Sequence, residues 1–156
     1  MFIGTGWDIH KHSKSKTLTL GGVVFDEDGF EAHSDGDILL HALIDAILGA
    51  TGNKDIGHYF PSNENTPDNM PSFEMLKEIL EQINFSRFAI NNIDMTIISQ
   101  KINISSKREA IEDNISKQLS LDKSKINLKG KSVDKLGIIG NNEASAAFVS
   151  ISLSNA

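Results

Sequence analysis

The sequence predicts a single domain of the α/β (α+β) class over residues 1–156, a mixed β-sheet with helices packed on one face. Three observations predict it. A chain of 156 residues is long enough for one sizeable core and too short for two. A composition of 39% hydrophobic and 23% charged residues is that of an ordinary globular protein. Apolar residues alternate along some stretches and recur every three or four along others, in the order β-β-α-α-β-α-β-β, which suits one sheet overlaid by helices.

The elements follow in order. "FIGTGWDIHKH" (2–12) reads as a strand whose side chains alternate between faces. Gly4, Gly6, Asp8 and His10 share one face, and Ile3, Trp7 and Ile9 share the other, which reads as core. A second apolar run, "LTLGGVVF" (18–25), leads to a turn at "DEDG" (26–29), with Gly29 suited to positive φ. "HSDGDILLHALIDAILGATG" (33–52) predicts a helix capped by Ser34 or Asp35, with Asp37 in its first turn and Gly52 as its stop. Leu39, Leu43, Ala46, Ile47 and Ala50 form its apolar stripe.

"DIGHYFPSNENTPDNMP" (55–71) holds all three prolines and is the one long irregular stretch, either a lid or binding loop or a mobile linker. A second helix is predicted from Ser72 to Asn84, burying Phe73, Leu76, Ile79, Leu80 and Ile83. "IDMTIIS" (93–99) is a strand. Ser106 and Glu109 have the spacing of a capping box for a third helix, with Ile111, Ile115 and Leu119 facing inward. "KINLKG" (125–130) and "AAFVSISL" (146–153) complete the sheet.

Composition narrows the chemistry. The absence of cysteine excludes disulfides, thiolate zinc sites and a cysteine nucleophile, so a metal must sit on His, Asp or Glu. A net charge of −6 with only Arg87 and Arg108 as arginines offers no basic stripe for nucleic acid. The longest apolar stretch, 38–50, contains His41 and Asp45 and is too short to span a bilayer. No signal pattern precedes the first strand, and the expectation is a cytoplasmic protein without membrane association.

All five histidines fall within the first 58 residues. Asp8 and His10 point the same way from one strand, and His41 lies on the face of a helix that also carries Asp37. If that face looks across at the strand, two imidazoles and a carboxylate converge with a position left open, the donor set of a catalytic zinc. Asp37 or Asp45 is then placed to orient an imidazole. A D-x-H pair alone is as readily a surface feature. His12, beyond the expected strand end, reads as solvated surface. "AHSDGD" (32–37) crowds polar groups into a helix entry, as a cap or as an anion site. "KGKSVDKLG" (129–137) offers Lys129, Lys131 and Lys135 beside Ser132 and Asp134, either an anion site with a carboxylate for a hard cation or a solvated basic turn.

Taken together, "DIH" (8–10), "AHSDGD" (32–37), "HALIDAILGA" (41–50), "DIGHYFP" (55–61) and "DKLG" (134–137) resemble the 2-C-methyl-D-erythritol 2,4-cyclodiphosphate synthase family, in order and nearly end to end. Because the resemblance runs nearly end to end, the expectation is a chain without the cytidylyltransferase domain that some relatives carry as a fusion. It implies a homotrimer with active sites between subunits, acting in the non-mevalonate route to isoprenoid precursors. The reaction implied converts 4-diphosphocytidyl-2-C-methyl-D-erythritol 2-phosphate into the cyclic diphosphate and CMP. By position, Asp8, His10 and His41 bind Zn2+, whose open site takes a β-phosphate oxygen. His33 and Ser132 are the catalytic residues. The substrate's own 2-phosphate is the nucleophile.

The same resemblance assigns the rest of the pocket. Asp55, Ile56 and Gly57 line the erythritol end, with Asp8, His10, Ser34, Phe60 and Pro61 also touching substrate. Ser99, Lys101, Gly130 and Lys131 serve the cytidine end, and Asp134 holds Mg2+ or Mn2+ at the diphosphate. Several positions depart from the family pattern. Asn103 stands where a lysine is usual, with Lys101 nearby as a substitute. Lys131 and Ser132 replace a threonine pair, Asp134 replaces a glutamate, Ser62 an aspartate and Asn141 an arginine, while Glu143 remains. Two other functions share some of these features: an iron oxygenase with a two-His-one-carboxylate site, and a trimer that binds isoprenoid diphosphates in its threefold channel.

Overall fold

The computed structural model describes residues 1–156. Five strands and three full helices follow the expected order, with two single α-helical turns added and 3-10 turns at Phe85–Arg87 and Lys123–Lys125. They are β1 (Phe2–Leu20), β2 (Val23–Phe30), α1 (Ile38–Ala50), the turn α2 (Ile56–Tyr59), α3 (Ser72–Gln82), β3 (Phe88–Ile98), α4 (Arg108–Leu119), β4 (Ile126–Lys131), the turn α5 (Gly137–Gly140) and β5 (Ala144–Asn155). The sheet order is β2-β1-β5-β3-β4. Only β3 and β4 are parallel. A parallel pair needs a long crossover, and α4 supplies it.

α1 is apolar almost all round, and among its thirteen residues only Asp45 and Gly49 escape full burial. Such a helix belongs in the middle of a core. It lies on β1 and β5, with α3 against its outer side.

The faces of β1 are the reverse of the expectation. Gly4 and Gly6 are buried because α1 comes down directly on them. A Cβ on Gly4 would stand 1.9 Å from the Ala46 carbonyl oxygen, and one on Gly6 1.9 Å from that of Ala42. The opposite face, expected as core, is open: Ile3 is 65% exposed, Trp7 53%, and Phe148, which pairs with Trp7, 39%. Helices cover one side of the sheet, and this second apolar side faces outward from the chain.

Other boundaries also differ. β1 does not end near His12 but runs on to Leu20, so "LTLGGVVF" is not one strand; a turn at Gly21–Gly22, with φ of 55° and 72°, divides it. Positive φ at both positions suits a glycine pair. Gly29 lies inside β2 opposite Ser13, without positive φ. Asp37 rather than Ser34 or Asp35 caps α1, its side chain accepting the Leu40 N–H. The Ser106/Glu109 capping box is not formed. Lys107 occupies the cap, one residue late, so Glu109 falls out of register for the reciprocal bond. α3 stops at Gln82, and 55–71 is interrupted by α2.

Candidate functional site

Close packing of α1 on the glycines of β1 sets the site. Asp8 follows Gly6 on the strand and His41 precedes Ala42 on the helix, so the two side chains meet where the backbones touch. His41 Nδ1 lies 3.0 Å and His10 Nδ1 3.2 Å from the same oxygen, Asp8 Oδ2. Donor atoms of the three residues all lie within 4.8 Å of one another.

The electrostatics are those of a tightly coupled cluster. Burial works to raise the Asp8 carboxyl, but the two imidazoles gathered on it, His10 and the hydrogen-bonded His41, overcome it and hold the group well below the usual carboxylate range. Burial likewise opposes a charged His41, while the Asp8 carboxylate and the more distant Asp37 and Asp35 outweigh it and push its pKa up. His10 Nδ1 is buried and lies 3.2 Å from Asp8 Oδ2, yet it meets no acceptor in hydrogen-bonding geometry. A buried ring nitrogen left without a partner, beside a second imidazole and a carboxylate, fits a divalent metal ion. His41 is already oriented for one, because its other nitrogen, Nε2, bonds Ser34 Oγ at 3.1 Å.

The crowding in "AHSDGD" resolves into separate duties. His33 Nε2 donates to the Thr66 carbonyl at 2.6 Å, and its Nδ1 lies 3.0 Å from Asp68 Oδ1. Ser34 holds His41. Asp35 accepts the Ser72 N–H at 2.8 Å and so anchors the start of α3. Gly36 turns the chain at φ 76°, and Asp37 caps α1. Lys16 on the β1–β2 hairpin ties this segment to the 62–70 loop, donating to the carbonyls of Ala32 and Ser34 and to Asn69 Oδ1. Neither Lys16 nor Asp68 was expected from sequence. The hairpin register that brings Lys16 across has no local signal.

A cavity of about 180 Å³ opens over the cluster, walled by Asp8, His10, His33, Ser34 and His41 and by Ile56, Gly57 and Phe60 from the α2 turn. Ala32, Ser62, Thr66 and Met75 complete it. Asp55 is not in its wall but caps α2, accepting the His58 N–H, while Asp45 accepts the Ile56 N–H at 2.7 Å. Pro61 follows Phe60 outside the wall.

The remaining expected residues lie elsewhere. Ser99, Lys101, Gly130, Lys131 and Ser132 wall a second cavity of about 240 Å³, which shares no residue with the first. Lys101 Nζ is engaged with Asp28 Oδ2 at 2.7 Å, and Lys129 with Asp94. Asn103 Oδ1 accepts the Ser105 N–H. Asp134 lies in neither wall, in left-handed backbone at φ 52°. A larger cavity, about 570 Å³ between Phe73, Leu80 and Phe85, shares no lining residue with either.

Comparison with known proteins bears on what this arrangement does. The YgbB family matches residues 1–154. A 2-C-methyl-D-erythritol 2,4-cyclodiphosphate synthase of Halothermothrix orenii is 40% identical over 154 residues, 98% of this chain and 93% of that protein. The "Bifunctional enzyme IspD/IspF" of Campylobacter concisus is also 40% identical over 154 residues, but the chain spans only 41% of its length. Among solved structures, the Plasmodium falciparum IspF–CDP complex superposes with a TM-score of 0.85 at 41% identity, covering 99% of this chain and 96% of that one.

Proposed function

The chain belongs to the YgbB family, and from that premise we propose that it cyclises 4-diphosphocytidyl-2-C-methyl-D-erythritol 2-phosphate to 2-C-methyl-D-erythritol 2,4-cyclodiphosphate, releasing CMP. In this reading residues 1–156 act as one synthase domain in the non-mevalonate route to isoprenoid precursors, in the cytoplasm. The observation that carries it is the convergence of Asp8, His10 and His41, with an unpartnered His10 nitrogen, in a chain matched over 154 residues.

Asp8, His10 and His41 would hold a zinc ion. Bound there, it would supply Lewis-acid polarisation of a phosphate oxygen. The protein's own part is to position. His33 stands over the same cavity, its ring placed to face developing phosphate charge once Thr66 and Asp68 release it. Ile56, Gly57 and Phe60 form the wall for the erythritol carbons, and Ser34 keeps the His41 ring fixed. Holding the 2-phosphate near the β-phosphorus makes the displacement intramolecular, which removes much of the barrier without a protein nucleophile.

The second half of the site is the Ser99–Ser132 cavity, which takes the cytidine end, with Ser132 toward the phosphates and Asp134 holding Mg2+ or Mn2+. Two observations support a homotrimer in which this half comes from a neighbouring subunit: the cavities share no residue, and the Ile3/Trp7/Phe148 side of the sheet is apolar and open. Larger exposed apolar patches mark interaction surfaces.

The test is CMP release from the diphosphocytidyl substrate, before and after chelation and with zinc restored. Activity lost with the chelator and regained with zinc is expected. Turnover indifferent to chelation would sink the metal assignment, and no CMP release from metal-replete protein would sink the activity.

A further inference from the structure

His12 takes no part in the chemistry proposed above and was expected at the surface, yet both its ring nitrogens are engaged. Nδ1 lies 3.2 Å from the Asp28 carbonyl oxygen and Nε2 2.9 Å from Ser145 Oγ, while the ring packs on Phe30 with centroids 4.9 Å apart. Ser145 is fully buried, and its Oγ lies 2.7 Å from Ser99 Oγ. Ser99 Oγ accepts the backbone N–H groups of Lys101 at 3.1 Å and Ile102 at 3.0 Å. The line crosses β1, β5 and β3 and ends on the segment that walls the second cavity. Asp28 grips that segment a second time through Lys101.

His12 Nδ1 donates to the Asp28 carbonyl oxygen, and Nε2 meets the Ser145 hydroxyl. Ser145 Oγ in turn donates to Ser99 Oγ, which also accepts the Lys101 and Ile102 amides. Ser145 and Ser99 are buried, where an unmade hydrogen bond is costly, so a break at one link is felt at the next. A hydroxyl that accepts two successive amides also fixes a tight turn.

We propose that His12, acting through Ser145 and Ser99, is a positioning residue that presets the 99–102 backbone and thereby the affinity of the second cavity for the cytidine monophosphate end of the substrate. This rests on the activity proposed above. Its physical content is preorganisation: a wall already fixed loses no further freedom when the ligand arrives. His12 walls neither cavity, and it lies on the same strand as Asp8 and His10, so zinc stoichiometry is the control that separates an effect on the second cavity from one on the metal.

The probe is CMP, titrated calorimetrically alongside steady-state kinetics. His12→Phe keeps a ring on Phe30 and deletes both nitrogens; Ser145→Ala deletes one hydroxyl and breaks the same line with little risk to folding. Each should weaken CMP binding about tenfold and raise KM about as much, as expected for loss of a buried polar link worth about one decade. kcat should stay within about twofold, because the interaction lost is equal in ground and transition states, and zinc stoichiometry should not change. The double variant His12→Phe/Ser99→Ala should bind CMP no more weakly than Ser99→Ala alone, since His12 acts only through Ser99. CMP affinity unchanged in Ser145→Ala, or a His12→Phe loss that adds in full to that of Ser99→Ala, overturns the proposal. Wild-type protein that neither binds CMP nor releases it sinks the activity itself, an outcome distinct from active wild type with indifferent variants.

Discussion

The carboxylate of Asp37 is fully buried at the entrance to α1, where it accepts the N–H groups of Gly22 at 2.9 Å and Leu40 at 3.2 Å. Burial pushes its pKa up to about 6, although those backbone donors pull against it. The folded protein therefore holds this proton more tightly than the unfolded chain, whose value is 3.8. Between those two values the folded state binds more protons, so this group's contribution to stability falls as pH rises through the window. Asp37→Asn cannot titrate. Its amide also turns an N–H₂ toward a backbone donor, so the variant should be less stable than wild type at pH 4. The gap should narrow by about 2 kcal/mol by pH 7, at about 1.4 kcal/mol per pKa unit. Urea unfolding of both metal-free proteins at the two pH values measures it. A gap that is constant or widens with pH refutes the raised value. At this scale the sequence offered the right residues with the wrong duties. "AHSDGD" was legible as a functional crowd, but whether Ser34, Asp35 or Asp37 caps α1 depends on His41, Ser72 and Gly22, partners that no local pattern reveals.

The contact of α1 with β1 is what turns separate motifs into a site. Ala42 and Ala46 present bare backbone to Gly6 and Gly4, and this closeness carries His41 to within 3.0 Å of Asp8. A Cβ at Gly6 would meet the Ala42 carbonyl oxygen at 1.9 Å and the Ala46 nitrogen at 2.8 Å, helix backbone that cannot yield by rotating a side chain. Gly6→Ala should cost about 3 kcal/mol, the upper part of the overpacking range, and lift His41 away from the strand. Gly52→Ala is the control. Its φ of 73° is unfavourable for alanine, but nothing lies within 4 Å of the new Cβ, so it should cost about 1 kcal/mol and leave metal binding intact. Zinc titration and denaturation of both variants distinguish them; equal stability losses with unchanged zinc affinity would show that α1 accommodates the methyl group and that the glycines do not set the site. Element types and order were readable because periodicity reports burial of one face. Boundaries were not. His12 looked like a strand end because the run "KHSKSK" is polar, yet it continues β1 by pairing with β2.

On the scale of the whole molecule, the apolar side of the sheet and the division of the site into two cavities point the same way. Alternation in "FIGTGWDIH" correctly grouped Ile3, Trp7 and Ile9 on one face, but periodicity cannot tell burial within a chain from burial between chains. Trp7 and Phe148 are paired across β1 and β5 and open to solvent in the lone chain. The proposed trimer covers that face and joins the metal cavity of one subunit to the Ser99–Ser132 cavity of the next. Two inactive variants should then restore each other. His41→Ala loses the metal and keeps its second cavity; Ser132→Asp keeps the metal and sets a negative charge against the substrate phosphates. In a head-to-tail ring, every mixed trimer contains one junction of two intact halves. Random assembly at equal ratio makes about three trimers in four mixed, so about one quarter of all sites should regain activity. The variants are unfolded and refolded together, with sedimentation to establish trimers and a tagged subunit to establish exchange. CMP release near one quarter of the wild-type rate is expected, against near zero for either variant alone. A mixture as inactive as its components, despite verified exchange, would place both cavities in the service of a single chain.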